Sequence, residues 1–523
     1  MQTDILSQWR RHGREQADAI AFIAPHRNWT YGELDAESNR IAQGLGSLGI
    51  GPGDRVAALT KHTGECLALM MGANKVGAVC MPVNWRLAPS ELAYILGNGQ
   101  AKLLMRDAEF AEACARLSIP SLARIIGTLE SASDGPGLLE WAAGFPADDT
   151  GREASPGDTA LQLYSSGTTG LPKGVELSYA NLEAGMLGSI PAEIGYTGPP
   201  GVFLNALPTF HIAGIGVAVL TSSLGGLSLL HPDFNPPAIL DAIPRHKVTH
   251  TFLVPAMIQF LLQVPGIDKK DFSTLHTISY GASPITERVL VDAIRSFGCR
   301  FVQVYGLTET TGAVTALPHE DHVTEGPRRQ LLRSAGKAML GVQVKVVDVA
   351  TGETLPDGEV GEVWIHSKQN MLGYWANAQA SADAIVDRSA DDPGWFRSGD
   401  AGFMRDGYLF LHDRLKDLIV SGGENIYPAE VENVLMQHPA IADGAVIGIP
   451  DDQWGEQVKA IVVAKPGQVA DADDVIGFMR ERIAHFKCPR TVDFVEAIPR
   501  NPSGKILKRV LREPYWKGRD RNI

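Results

Sequence analysis

The chain is sparing in cysteine and has no long unbroken apolar run, and each shortage excludes a class of protein. Cys66, Cys80, Cys114, Cys299 and Cys488 are an odd number at wide spacing with no CxxC pair. That pattern suits neither a disulfide framework nor a zinc site, so a reducing, cytoplasmic setting is expected. Charged residues make up 20% and apolar residues 44% of 523 positions. Both are ordinary for folded globular chains and exclude global disorder and collagen-like or coiled-coil fibres. At roughly 150 residues per domain, this length predicts about three domain-sized units, or one large compound domain with a smaller one. Basic residues number 47 against 60 acidic ones, giving −13, and they are mostly dispersed, so nucleic acid is not an expected partner. Only Lys505 to Arg521 is clearly basic, and it reads as a solvated tail.

The opening segment MQTDILSQWRRHGREQ has amphipathic helical spacing where a secretion signal needs an apolar core. The most membrane-like stretch, Ile212 to Leu230, is uncharged but is interrupted by Gly214, Gly216, Thr221, Ser222, Ser223, Gly225 and Gly226. It predicts a buried helix followed by a buried strand, with no transmembrane segment. Peripheral membrane contact and a homodimer both stay open.

What the chain does have is alternation. Apolar β-branched runs at Arg55 to Leu59, Leu103 to Met105, Thr159 to Tyr164, Val248 to Val254, Thr277 to Ser279 and Phe301 to Tyr305 alternate with helical patterns. This predicts an α/β class with largely parallel sheets. From about Gly341 the strands crowd together, with turn pairs Asp357-Gly358 and Asp406-Gly407, which predicts antiparallel structure. A final α+β section begins near Arg414, so the expected domains are 1–413 and 414–523.

Gly44-Leu45-Gly46-Ser47-Leu48-Gly49 matches GxGxxG, but it ends a helical pattern and precedes a strand, the reverse of a dinucleotide-binding turn. A stronger signal is Tyr164-Ser165-Ser166-Gly167-Thr168-Thr169-Gly170-Leu171-Pro172-Lys173-Gly174, placed after a strand-like run and before a helix expected near Ser178. Its glycines let backbone N–H groups approach phosphate oxygens, its hydroxyls add donors, and Lys173 adds a point charge. It is not a Walker A loop.

Further motifs follow in order: Pro208-Thr209-Phe210-His211-Ile212-Ala213-Gly214; Tyr280-Gly281-Ala282-Ser283-Pro284; Val304-Tyr305-Gly306-Leu307-Thr308-Glu309-Thr310; Trp395-Phe396-Arg397-Ser398-Gly399-Asp400; Asp413-Arg414-Leu415-Lys416-Asp417 into Val420-Ser421-Gly422-Gly423-Glu424-Asn425; and Asn501-Pro502-Ser503-Gly504-Lys505. Over essentially its whole length the sequence resembles the AMP-forming adenylating superfamily of acyl-CoA synthetases, adenylation domains and firefly-type luciferases. Within it the flavour is that of bacterial fatty-acyl-CoA synthetases of the FadD type. The resemblance implies a large N-terminal region of two α/β subdomains plus a small β-barrel, with a mobile α+β C-terminal lid domain. It also implies an ATP-dependent ligase joining a carboxylic acid to coenzyme A through acyl-AMP, with Mg2+ as cofactor.

An ionised carboxylate with a pKa near ~4 needs no general base to attack the α-phosphate of ATP; it needs charge neutralisation and alignment. Glu309 is the candidate Mg2+ ligand, with Thr168 as a second oxygen donor. By resemblance, Lys505 contacts the acyl carboxylate and α-phosphate, Asp400 accepts from the ribose hydroxyls, and Arg414 contacts ribose or phosphate. The nucleotide site further takes in Ser165, Ser166, Gly167, Thr169, Gly170, Lys173, Gly281, Ala282, Ser283, Gly306 and Thr308, with Tyr305 offering a flat face to adenine. Lys416 matches the hinge about which the lid turns between half-reactions, and Gly422 and Gly423 line the pantetheine tunnel.

The acyl pocket is expected near His211, Ile212, Gly216, Gly281, Gly306, Gly312 and Val314. None carries a fixed charge, which favours a neutral apolar tail. His211 either gates access of CoA or packs. No tryptophan stands beside Tyr305, as it does in acetate-type relatives, so acetate is disfavoured. Medium- or long-chain fatty acids, aryl-propenoic acids and steroid side-chain acids stay open. So do a stand-alone adenylating enzyme loading a separate carrier protein and a non-catalytic acyl or nucleotide sensor.

Overall fold

Thr30 opens the helix Tyr31–Ser47 with a reciprocal cap: its hydroxyl accepts from Glu33 N, and Glu33 Oε2 accepts from Thr30 N. Such boxes satisfy amide groups that the first helical turn leaves without partners. The computed structural model describes residues 4–129, 136–165, 171–414, 417–422, 424–468, 471–500 and 506–517. Of the expected site residues, Ser166, Gly167, Thr168, Thr169, Gly170, Lys416, Gly423 and Lys505 lie outside that range.

The alternating pattern builds two large sheets. A seven-stranded sheet places Arg55–Leu59 between Val79–Pro82 and Ala101–Arg106, all parallel, and ends on the antiparallel hairpin Thr159–Ser165 and Lys173–Ser178 with Gly373–Tyr374 at its edge. A nine-stranded sheet runs Val202–Asn205, His250–Leu253, Thr277–Gly281 and Arg300–Leu307 in parallel, then turns antiparallel through Gly312–Leu317. Helices cover these sheets, and a shared core of fully buried residues such as Phe22, Trp29, Leu161, Leu163 and Val302 joins them.

The segment at 212–230 is the expected helix and strand, Ile212–Ser223 and Leu227–Leu230. Thr221 Oγ1 and Ser222 Oγ donate to carbonyls four residues back, at 2.9 Å and 2.7 Å, so these two hydroxyls are buried with partners. Among the described residues no helix is long and apolar enough to cross a membrane. Gly44 to Gly49 close the helix Tyr31–Ser47 ahead of a strand, as the motif's context requires.

The helix expected near Ser178 begins at Tyr179 with Ser178 as its cap, and between it and the loop lies a strand, Lys173–Ser178, that the sequence pattern does not predict. The hydroxyl-rich loop therefore joins two hydrogen-bonded strands, with Ser165 directly opposite Lys173.

The crowded later strands form a small five-stranded antiparallel sheet containing Val342–Val347, Gly361–Ser367, Trp395–Arg405 and Tyr408–Arg414. Asp406 and Gly407 both adopt left-handed conformations, φ 51° and 79°, giving the two-residue turn that matches strand twist. The last section has its own five-stranded sheet, built on the long hairpin Ile441–Asp451 and Gly455–Ala464, and its own core of Ile419, Val431, Leu435, Val446 and Val462.

Candidate active site

Three motifs sit at the carboxyl ends of their strands: Ser165 ends Thr159–Ser165, Gly281 ends Thr277–Gly281, and Thr308 follows Arg300–Leu307. That is the end at which open α/β sheets hold ligands. Gly281 cannot carry a side chain, because a Cβ there would lie 2.1 Å from Val304 O of the neighbouring strand. The chain then leaves through Ala282 in the left-handed region, φ 68°, with Ser283 following it.

Glu309 is almost fully buried. Its Oε1 accepts from Ser165 Oγ at 2.8 Å and from Tyr374 OH at 3.2 Å, so a residue of one large sheet is held by hydroxyls of the other. Lys173 Nζ lies 4.8 Å from the Tyr374 ring centroid, bringing a cation to the same corner. Tyr374 carries no motif spacing in the sequence. It arrives here because Gly373–Tyr374 pairs with the strand that begins at Lys173.

Asp400 is placed by its own turn. Gly399 adopts φ 67°, Ser398 Oγ accepts from Asp400 N at 3.0 Å, and the same hydroxyl donates to Val363 O at 2.6 Å. Tyr305 OH donates to Asp400 Oδ2 at 2.7 Å. Opposite Asp400 in the antiparallel register stands Arg414. Gly306 and Gly312 are pressed together: a Cβ on Gly306 would meet Gly312 O at 1.8 Å, so the turn through Thr308 and Glu309 closes tightly.

The expected acyl residues converge in part. Ile212 and Gly216, four apart on one helix face, meet Gly312 around Met186 and Ile190. Val314, two residues beyond Gly312 on the same strand, is fully buried. His211 caps the helix at Ile212, its ring centroid 4.5 Å from that of Phe210. Burial, with the nearby positive charge of Arg86 adding to it, pushes its pKa down to about 4, so the ring is neutral near pH 7. In the last section Gly422 lies under Trp454: a Cβ there would come 2.6 Å from the indole.

Mg2+, implied by the resemblance, is a hard ion that keeps several waters and is bound through one or two carboxylates plus substrate phosphates. A single buried carboxylate held by hydroxyls fits that mode. Among the described residues there is no cluster of three His, Cys, Asp or Glu that would make a dedicated cage.

Comparison with known proteins agrees with this arrangement. The AMP-binding enzyme family matches residues 9–375, and the AMP-binding enzyme C-terminal domain matches residues 430–505. The chain is 38% identical over 521 residues to the fatty acid–[acyl-carrier-protein] ligase ScoC of Streptomyces coeruleorubidus, covering 98% of this chain and 96% of that protein. It is 37% identical over 514 residues to the long-chain-fatty-acid–CoA ligase FadD13 of Mycobacterium tuberculosis, covering 95% of each. ATP-bound MatB from Rhodopseudomonas palustris superposes with a TM-score of 0.87 at 30% identity, covering 98% of this chain and 99% of that one. The chain therefore belongs to the AMP-binding enzyme family, with both its main and C-terminal domains, and is an enzyme of the ATP-dependent acid–thiol ligase class.

Proposed function

We propose that this enzyme activates an apolar carboxylic acid, of the medium- or long-chain fatty, aryl or steroid side-chain type, and transfers it to the thiol of coenzyme A. In the first step a carboxylate oxygen bonds to the α-phosphorus of ATP as the α–β anhydride bond breaks and pyrophosphate leaves. In the second, the thiol sulfur bonds to the acyl carbon, AMP leaves with the electrons of the broken C–O bond, and the thiol proton passes to solvent.

The observation that carries this reading is the convergence of distant motifs on one crevice. Ser165 holds Glu309 at 2.8 Å, and Tyr305 holds Asp400 at 2.7 Å. Both acids are nearly buried and held by hydroxyls; Glu309, beside the end of the strand Thr159–Ser165 where the hydroxyl-rich motif begins, suits phosphates, and Asp400, beside the Tyr305 ring, suits ribose. Glu309, joined by Thr168, would hold Mg2+, which supplies charge neutralisation to the phosphates when bound. Lys505 is assigned to the acyl carboxylate and α-phosphate, and Arg414 to ribose or phosphate. Residues 1–413 form the adenylate-forming domain and 414–523 the second domain, with Lys416 as its hinge and Gly422 and Gly423 on the path of the pantetheine arm.

The similarity to ScoC, named as a ligase for a carrier protein, favours a second reading in which the accepting thiol belongs to a separate carrier. The test is mass spectrometry of the purified enzyme with ATP, Mg2+ and a panel of acids, adding either CoA or a phosphopantetheinylated carrier protein, with Lys505→Ala as control. Acyl-CoA formed with AMP, and lost in the control, supports the first reading. Acyl-AMP that CoA leaves unconsumed but a carrier discharges supports the second. No AMP release with any acid removes both.

A further inference from the structure

The acyl residues expected from sequence leave open what ends the channel. We propose that Met186 closes it and sets the longest straight-chain acid the enzyme accepts; this inference rests on the apolar-acid reading above.

Three elements meet at its thioether. The helix Ile212–Ser223 presents Ile212 and Gly216 on one face, and a Cβ on Gly216 would lie 2.7 Å from Met186 Cε and 3.2 Å from its sulfur. From the strand Gly312–Leu317, a Cβ on Gly312 would have Met186 Cε and Ile190 Cδ1 each at 3.6 Å, with Ile212 Cγ1 at 3.9 Å. Two bare backbone surfaces thus face one flexible, nearly fully buried side chain. Every atom named in those contacts is apolar, so the cradle takes hydrocarbon and no charged terminus.

Met186 also sits in an unusual backbone, the π-helical stretch Glu183–Ser189. Such widened turns are rare and recur at functional sites. This one is bracketed at both ends by a single segment. Asn181 Nδ2 donates to the carbonyls of Lys368 and Asn370 at 2.8 Å and 2.9 Å, and Ser189 Oγ donates to Gln369 Oε1 at 2.9 Å. Gln369 Nε2 in turn donates to Ala313 O at 2.8 Å and Thr310 O at 3.3 Å, beside Gly312 and Glu309. The wall is therefore fixed to the strand that carries the reacting corner, while the side chain it presents is the most adaptable of the apolar residues. A fixed wall with an adjustable end measures length.

Met186→Ala removes Cγ, Sδ and Cε, room for about three methylene groups. Gly216→Ala acts in the opposite direction, driving the methionine methyl into the channel. The experiment is kcat/KM for CoA-dependent AMP release with straight-chain acids from butanoate to hexadecanoate, for wild type and both variants, each confirmed folded by thermal melting. Met186→Ala should move the optimum by two to four carbons toward longer chains, raising the ratio of long to wild-type-optimal acid ~10-fold or more, and Gly216→Ala should move it toward shorter ones. Either variant folded with the wild-type profile overturns the assignment of Met186 alone. A wild type silent with every straight-chain acid overturns the fatty-acid form of the apolar-acid reading, and this inference with it, while leaving its aryl and steroid forms standing.

Discussion

Tyr305 donates its phenolic hydroxyl to Asp400 Oδ2 at 2.7 Å, across 95 residues of chain and between two different sheets. The bond fixes one carboxylate oxygen and the plane of the tyrosine ring together. A nucleotide stacked on that ring and bound through its ribose by that carboxylate would meet both groups already aligned.

Tyr305→Phe keeps the ring and removes the donor. A hydrogen bond to a charged group contributes ~1.5–3 kcal/mol, so the KM for ATP should rise about tenfold or more while the chain-length profile stays in place. Steady-state kinetics with varied ATP measure this. An unchanged KM would mean that the pair holds the sheets together without positioning nucleotide.

Glu309→Gln preserves an acceptor for Ser165 and Tyr374 but removes the negative charge. Acid-dependent ATP–pyrophosphate exchange should fall by ~100-fold or more, as when a preorganised electrostatic group is lost, and the Mg2+ concentration needed for half-maximal exchange should rise. Exchange at the wild-type rate would remove Glu309 from the metal assignment.

Acid should weaken the fold through buried histidines. His62 is pushed down to about 3 by burial, with His231 adding to the effect, and His322 is pushed down to about 4, mainly by burial. His322 is held between Pro318 O at 2.9 Å and Tyr280 OH at 3.0 Å. Because these folded-state values lie below the ordinary ~6.5, the unfolded chain takes up protons first as pH falls. Their contribution is fully present above about pH 6.5 and is lost progressively toward pH 4, by ~1–2 kcal/mol for each ring at pH 5. Melting curves at pH 7.5 and 5.0 should show a lower Tm at the acid value, and His62→Phe should flatten the difference. A variant with the full wild-type slope would take His62 out of this account.

In the last section Arg512 and Asp417 form a largely buried ion pair, 2.6 Å apart, between the terminal helix and the chain just after the expected hinge. Removing one partner leaves a poorly solvated charge, at a cost of ~3–5 kcal/mol. Asp417→Ala should therefore expose the Lys508–Trp516 helix to limited proteolysis and lower thermal stability. Digestion at the wild-type rate would show that the pair is dispensable.

Much of this protein was legible in its sequence, because the properties concerned are local. Apolar periodicity distinguishes helix from strand without reference to distant residues, so Ile212 to Leu230 resolves into a helix and a strand. Asp406-Gly407 specifies its turn because those two residues tolerate left-handed backbone. The helix near Ser178 was legible in the same way, but the short strand Lys173–Ser178 ahead of it was not, because it exists through pairing with Thr159–Ser165, a matter of sheet membership.

Motif order identified Glu309, Asp400 and Lys173 as residues of interest, since their chemistry is readable one residue at a time. Only the tertiary structure decided that Ser165 and Tyr374 share Glu309, that Tyr305 holds Asp400, and that Met186 fills the space beside Gly216 and Gly312. Those relationships depend on which strands are neighbours and on how closely two backbones approach. The order of strands in a sheet is a property of the whole chain's packing, not of any segment within it.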